Sequence, residues 1–160
     1  MTAREAAAVA SEHLGYEVVI PCPNPEPSFA FFALGIELNE GGPKEWRPHA
    51  SWTFVPPDSI TDWGVANADR HVQVAQYGSE TTPVDDAEEV SLGIGEDRAL
   101  RKSLRSEEPP GSDMASGETL YLYAYSRGQT FIVAASGPLG ESTPEPRLRA
   151  MLAGMLAHRP

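Results

Sequence analysis

The chain has little cysteine and little positive charge, and it has no long apolar run. Its single cysteine, Cys22, rules out an intramolecular disulfide and a cysteine-rich zinc site. Twelve basic residues stand against 23 acidic ones among 160 residues, which gives a formal net charge of −11. This balance disfavours general nucleic-acid binding and docking on an anionic membrane, because both need a basic face.

No apolar run approaches the roughly 18 residues that a transmembrane helix needs. The N-terminal segment carries Glu5 and Glu12 and lacks the long apolar stretch of a signal peptide. We therefore expect a cytoplasmic protein. Arginine outnumbers lysine ten to two, and alanine, glycine and proline are abundant, which is typical of a bacterial genome with a high GC content.

Familiar catalytic and cofactor motifs are also missing from the sequence. There is no Gly-x-Ser-x-Gly elbow, and no two histidines stand four residues apart as in a helical zinc pair. The segment from Gly93 to Arg98 begins like a dinucleotide fingerprint, but Arg98 stands where the third glycine is needed. We expect no cofactor and no resident metal.

The length and the apolar content predict one α+β domain that spans residues 1–160. Apolar residues make up 41% of the chain, which is enough for a core without disulfides or metal. Thr2 and Glu5 have the spacing of a capping box, and Gly15 stands where a left-handed cap ends a helix. The chain is therefore expected to begin with a helix.

Four strands are predicted in the first half of the chain. Tyr16–Ile20 is expected to be a short strand, and the proline-rich segment 21–27 a stiff connector. Phe29–Leu38 is apolar on both faces, which favours a central strand. His49–Val55 is expected to be its antiparallel partner. His71–Tyr77 alternates in the manner of a fourth strand.

The second half is predicted to contain a helix, a loop, a hairpin and a last helix. Residues 85–104 carry helical signals that glycines interrupt, and residues 107–117 form a polar stretch that we expect to be a flexible loop. The strands 118–126 and 129–135 flank a tight turn at Arg127-Gly128. Thr143 and Pro144 are expected to start the last helix. Its apolar positions follow helical spacing at Leu148, Met151, Leu152, Met155 and Leu156.

The resulting order is α-β-β-β-β-α-β-β-α. Runs of neighbouring strands with short turns predict an antiparallel sheet of about five to six strands, with the N- and C-terminal helices packed on it. In topology alone, this order resembles that of small acidic secretion chaperones.

The first functional hypothesis is a non-catalytic, acidic protein-binding module, such as a chaperone, an inhibitor or an immunity-type protein. Strong acidity steers association with a basic protein partner. The residues expected to bind that partner are three alternating tyrosines and the densest acidic run: Tyr121, Tyr123, Tyr125, Asp85, Asp86, Glu88 and Glu89. The alternative is structural, with the tyrosines covered by a helix and the acids forming a solvated helix start.

The second hypothesis is a small-molecule or metal-binding protein, or a modest hydrolase. His49 and His71 each open a predicted strand, and the hypothesis is that the fold brings them together with Asp58, Asp62 or Asp69. Four basic residues cluster at positions 98, 101, 102 and 105, which on a helix suggests either a solvated face or a docking patch. A homodimer is a further option.

Overall fold

The computed structural model describes most of the chain, in nine segments. The described residues are 1–25, 29–38, 48–62, 64–65, 71–81, 85–92, 98–105, 118–137 and 145–157. Two helices are present in them, α1 (Ala3–Leu14) and α2 (Glu145–Ala157). The strands are β1 (Ala30–Glu37), β2 (His49–Val55), β3 (Ile60–Thr61), β4 (Gly64–Val65), β5 (His71–Tyr77), β6 (Glu88–Ser91), β7 (Arg98–Arg105), β8 (Glu118–Ser126) and β9 (Gln129–Gly137).

Seven of these strands form one antiparallel sheet in the order β1-β2-β5-β9-β8-β7-β6, and β3 pairs with β4 in a separate short hairpin. The α+β class and the antiparallel pairing are confirmed, and the sheet is larger than the predicted five to six strands. Neither described helix is long and apolar enough to cross a membrane. The expected loop at residues 107–117 and the Thr143-Pro144 helix start lie outside the described residues.

Several sequence predictions agree closely with the structure. The side chain of Thr2 accepts a hydrogen bond from the backbone N–H of Glu5, Glu5 accepts one in return, and Gly15 ends α1 at a φ of 76°. The bounds of β2 and β5 are as predicted. At the β8–β9 turn both Arg127 (φ 53°) and Gly128 (φ 72°) are left-handed, as a two-residue hairpin turn requires.

The helix predicted for residues 85–104 is wrong, because two strands, β6 and β7, occupy this region. Leu100 and Leu104 are four residues apart, which places them on one face of a helix but equally on one face of a strand. Strand pairing decides between the two. Leu100 is paired with Tyr123 of β8, and Leu104 with Thr119. Tertiary context therefore overrides the local helical preference.

The strand predicted for Tyr16–Ile20 is also wrong, because a buried side chain holds this segment instead of a neighbouring strand. The amide of Gln76 accepts a hydrogen bond from Val19 N (2.8 Å) and donates one to Glu17 O (2.8 Å). It also donates to Gln129 Oε1 at 2.9 Å. Gln76 has no exposed surface, and all three of these bonds are made inside the protein.

Phe29–Leu38 was expected to give a central strand, but β1 is an edge strand. The regular alternation of side chains along β1 is interrupted, because a β-bulge falls between Phe31 and Ala33. Beyond this extra residue, each side chain points to the face opposite to the one that regular alternation would give it. Phe31 therefore shares a face with Leu34 and Ile36, and its ring packs against Trp52 with centroids 5.3 Å apart.

Both helices pack on the same face of the sheet and form one core with it. The largest fully buried apolar side chains of this core are Trp52, Val72, Val74, Leu122, Val133, Leu148, Met151, Leu152 and Met155. The predicted apolar stripe of α2 is confirmed. Gly154 of α2 lies against the backbone carbonyl of Cys22. A Cβ at this position would clash with that oxygen, which explains a glycine inside the helix.

Candidate functional site

The opposite face of the sheet is the candidate site, and the predicted tyrosines lie on it. Leu122 and Ala124 of β8 are buried beneath the helices. Because side chains alternate along a strand, Tyr121, Tyr123 and Tyr125 project from the other face. All three are partly exposed. Neither described helix packs there, since α1 contacts β1 and β2, and α2 contacts β8 and β9, from the core side.

A fourth tyrosine, Tyr77 of β5, belongs to the same face. Its strand neighbours Gln76 and Val74 point into the core, so that Tyr77 points outward. Tyr77 pairs with Thr130 of β9, which in turn pairs with Tyr125. Tyr77, Tyr121, Tyr123 and Tyr125 are called the tyrosine face below. From the sequence, Tyr77 can be recognised only as the last residue of a predicted strand. Its place beside Tyr125 depends on the pairing of β5 with β9, and these strands are far apart in the chain.

The tyrosine rings are held by one another and by neighbouring groups. The rings of Tyr121 and Tyr123 stack with centroids 5.9 Å apart and planes 20° apart. Burial, and after it the neighbouring tyrosines including Tyr77, raise the pKa of Tyr123 to about 12. The Tyr125 hydroxyl is covered and has no hydrogen-bond partner in the described part of the chain. Tyr123 therefore keeps its proton at physiological pH.

His49 lies beside the tyrosine face, but His71 does not join it. The His49 ring is nearly buried and stacks on Tyr77 at 4.5 Å, and its Nε2 is 3.6 Å from Glu37 Oε2. His49 pairs with Tyr77 at one end of the β2–β5 ladder, whereas His71 begins β5 at the other end. Tyr77 is six positions along β5 from His71, which corresponds to about 20 Å. The structure therefore does not bring the two histidines together.

Within the described segments, no group of three or more histidine, cysteine, aspartate or glutamate side chains is arranged to hold a metal ion. Asp58 and Asp62 are exposed, Asp58 lying in the short 3-10 helix of residues 57–59. Cys22 is exposed and free. For the metal or hydrolase hypothesis, the described residues supply the His49–Glu37 pair.

The four predicted acidic residues are exposed but do not form a helix start. Asp85 and Asp86 lie in a turn, and Glu88 and Glu89 lie on the edge strand β6. Glu88 pairs with Arg101 on the helix-covered side, whereas Glu89 pairs with Leu100 on the open side. Glu89 is therefore at the edge of the tyrosine face.

The predicted basic cluster is divided between the two faces of β7. Lys102 pairs with Tyr121 on the open face, and its ammonium donates a hydrogen bond to Asp85 O at 2.8 Å. Arg101 lies on the other face and forms an ion pair with Glu145, which also binds Arg149 at 2.7 Å. Burial alone would raise the pKa of Glu145, but the two guanidinium groups lower it. The cluster thus offers no single cationic patch in the described part of the chain.

Comparison with known proteins found no match among family models, curated proteins or solved structures. The candidate site is the sheet face that neither described helix covers, with four tyrosines at its centre and exposed carboxylates at its edges.

Proposed function

We propose that this protein is a non-catalytic binding module that takes up a basic protein partner on its tyrosine face, as a chaperone, an inhibitor or an immunity-type protein does. The observation that carries the proposal is the cluster of four partly exposed tyrosines on a sheet face that neither described helix covers. Tyrosine supplies a large, stiff contact area with a polar end, and it is enriched among the residues that dominate binding energy at interfaces.

The charges around the tyrosine face favour a basic partner. Glu37 on β1 and Glu89 on β6 are exposed at opposite edges of the sheet. Six strand spacings separate these edges, which is about 29 Å. Asp85 and Asp86 add two exposed acids beside β6, within a chain of net charge −11. An aromatic centre with an acidic rim matches the usual anatomy of an interface and attracts a partner of opposite charge.

The proposal is tested with three tagged proteins incubated in a lysate of the native cells: the wild type, Tyr121→Ala/Tyr123→Ala, and the control Gln73→Ala. Gln73 is exposed on the same sheet face but lies outside the tyrosine cluster. We expect a basic protein that is captured by the wild type and the control and lost by the double variant. With the purified partner, calorimetry is expected to show an affinity at least about 30-fold weaker for the double variant.

The proposed attraction between acidic residues and the basic partner is tested with a separate variant. In it, lysine replaces Asp85, Asp86, Glu88 and Glu89. The association rate is expected to fall, and its dependence on salt concentration to become shallower. An unchanged salt dependence would show that these acids do not steer the partner. Capture of the same proteins by the wild type and the tyrosine double variant would refute the tyrosine face as the binding surface.

A further inference from the structure

The two edge strands of the sheet are built differently. β6 has four residues, two of them glutamates, and it follows the exposed Asp85 and Asp86. β1 has eight residues, and its only charge is Glu37 at the end. Natural proteins protect edge strands against pairing with other chains by making them short or charged. β6 has both of these protections and β1 has neither, and the bulge between Phe31 and Ala33 leaves residues 33–37 as the regular part of β1.

Apolar surface continues at the end of β1. Leu38 directly follows the strand and is 56% exposed. Among the described strands, none pairs with the outer side of β1. A long apolar strand without proline, with one side unpaired, readily accepts another strand.

We propose that β1 pairs with β1 of a second copy of this chain, antiparallel, about a two-fold axis normal to the sheet. The strand is apolar on both faces, with Leu34 and Ile36 on the core side and Ala33 and Gly35 on the open side. Symmetric pairing therefore places apolar residues beside apolar residues on each side of the joined sheet.

The position of the one charge also favours this arrangement. Antiparallel pairing keeps the two Glu37 carboxylates at opposite ends of the strand pair, whereas parallel pairing would set them side by side. A basic peptide finds no acid along β1 before Glu37, so that a second copy fits the strand better than the proposed partner does. The dimer would carry two tyrosine faces on the same side of one continuous sheet.

The test is the molar mass in solution, measured by size-exclusion chromatography with light scattering over a range of concentrations. We expect twice the chain mass of 17.3 kDa for the wild type. Gly35→Lys is expected to give the monomer, since it adds a charge to the strand edge. A Cβ at Gly35 meets only Ser51 O, at an ordinary 3.9 Å, so the variant is expected to fold.

Two further variants keep the result interpretable. Ala33→Lys, on the same face of β1, must also give the monomer, and Ser91→Lys, on the opposite edge strand, must leave the dimer intact. A wild type that is monomeric at every concentration overturns the proposal, as does a dimer that survives both β1 lysines. Hydrogen exchange of the β1 amides that slows only when the basic partner is added would assign this edge to that partner instead.

Discussion

The two faces of the sheet carry different residues at adjacent positions of the same strand. On β8, Leu122 is fully buried beneath the helices, while Tyr121 and Tyr123 on either side of it are partly exposed. On β5, Gln76 is buried and makes three hydrogen bonds, while Gln73 is exposed. Alternation along a strand thus separates the residues that stabilise the fold from those available for binding.

The largest expected contrast is between Leu122→Ala and Tyr121→Ala. Leu122→Ala leaves a cavity in the core and should lower the free energy of unfolding by about 2–5 kcal/mol. Tyr121→Ala should cost about 1 kcal/mol, because the ring already contacts water. Urea denaturation of both variants measures the difference. Equal losses would show that the tyrosine face is packed as tightly as the core.

The two glutamines of β5 give a matched pair with the same substitution. Gln76→Leu removes the partners of Val19 N–H and Glu17 C=O, and each buried group left unpaired should cost about 1–3 kcal/mol. Gln73→Leu, on the exposed face, should change stability by no more than about 0.5 kcal/mol. Denaturation measures both, and faster hydrogen exchange of the Val19 amide in Gln76→Leu would localise the loss. If that exchange rate stays unchanged, Gln76 does not hold the segment.

A smaller contrast concerns two tyrosine hydroxyls. The Tyr16 hydroxyl lies 2.8 Å from Gln76 O, on the helix side, so Tyr16→Phe should lower stability by about 1 kcal/mol. The Tyr125 hydroxyl is covered and without a described partner. Tyr125→Phe should therefore leave stability unchanged or raise it by up to about 1 kcal/mol. Thermal unfolding ranks the two variants, and the opposite ranking would contradict the assigned contacts.

Alkaline pH should lower the stability of the folded protein through tyrosines on both faces of the sheet. Burial raises the pKa of Tyr16 and of Tyr123 to about 12, whereas the unfolded value is about 10. The unfolded chain releases these protons first, so stability is complete below about pH 10 and falls as the pH rises toward 12. Denaturation at a series of alkaline pH values should show a shallower fall for Tyr123→Phe. An identical fall would show that Tyr123 titrates normally in the folded protein.

Local signals in the sequence predict the elements whose structure is decided locally. The Thr2–Glu5 capping box, the Arg127-Gly128 turn and the apolar stripe of α2 each depend on residues within about two helical turns or one hairpin. The face of Tyr121, Tyr123 and Tyr125 could be predicted for the same reason, because the alternation with Leu122 and Ala124 is visible in the sequence.

Other features depend on contacts between residues far apart in the chain. Val19 meets Gln76 across 57 residues, so no local pattern distinguishes this segment from a strand. The edge position of β1 depends on which strand lies next to β2, and the place of Tyr77 in the site depends on the β5–β9 pairing. The even spacing of Leu100 and Leu104 fits helix and strand alike, and only the β7–β8 ladder decides between them.

The position of β9 has a consequence for biosynthesis. β9 lies in the middle of the sheet, between β5 and β8, yet it is the last of the described strands in chain order. Until it emerges from the ribosome, β5 and β8 each lack one neighbour in the sheet. Arrested chains that end before Gln129 should therefore be rapidly digested by protease, whereas the released chain resists it. Because β5 and β9 pair although β6, β7 and β8 lie between them in the chain, folding is expected to be slow.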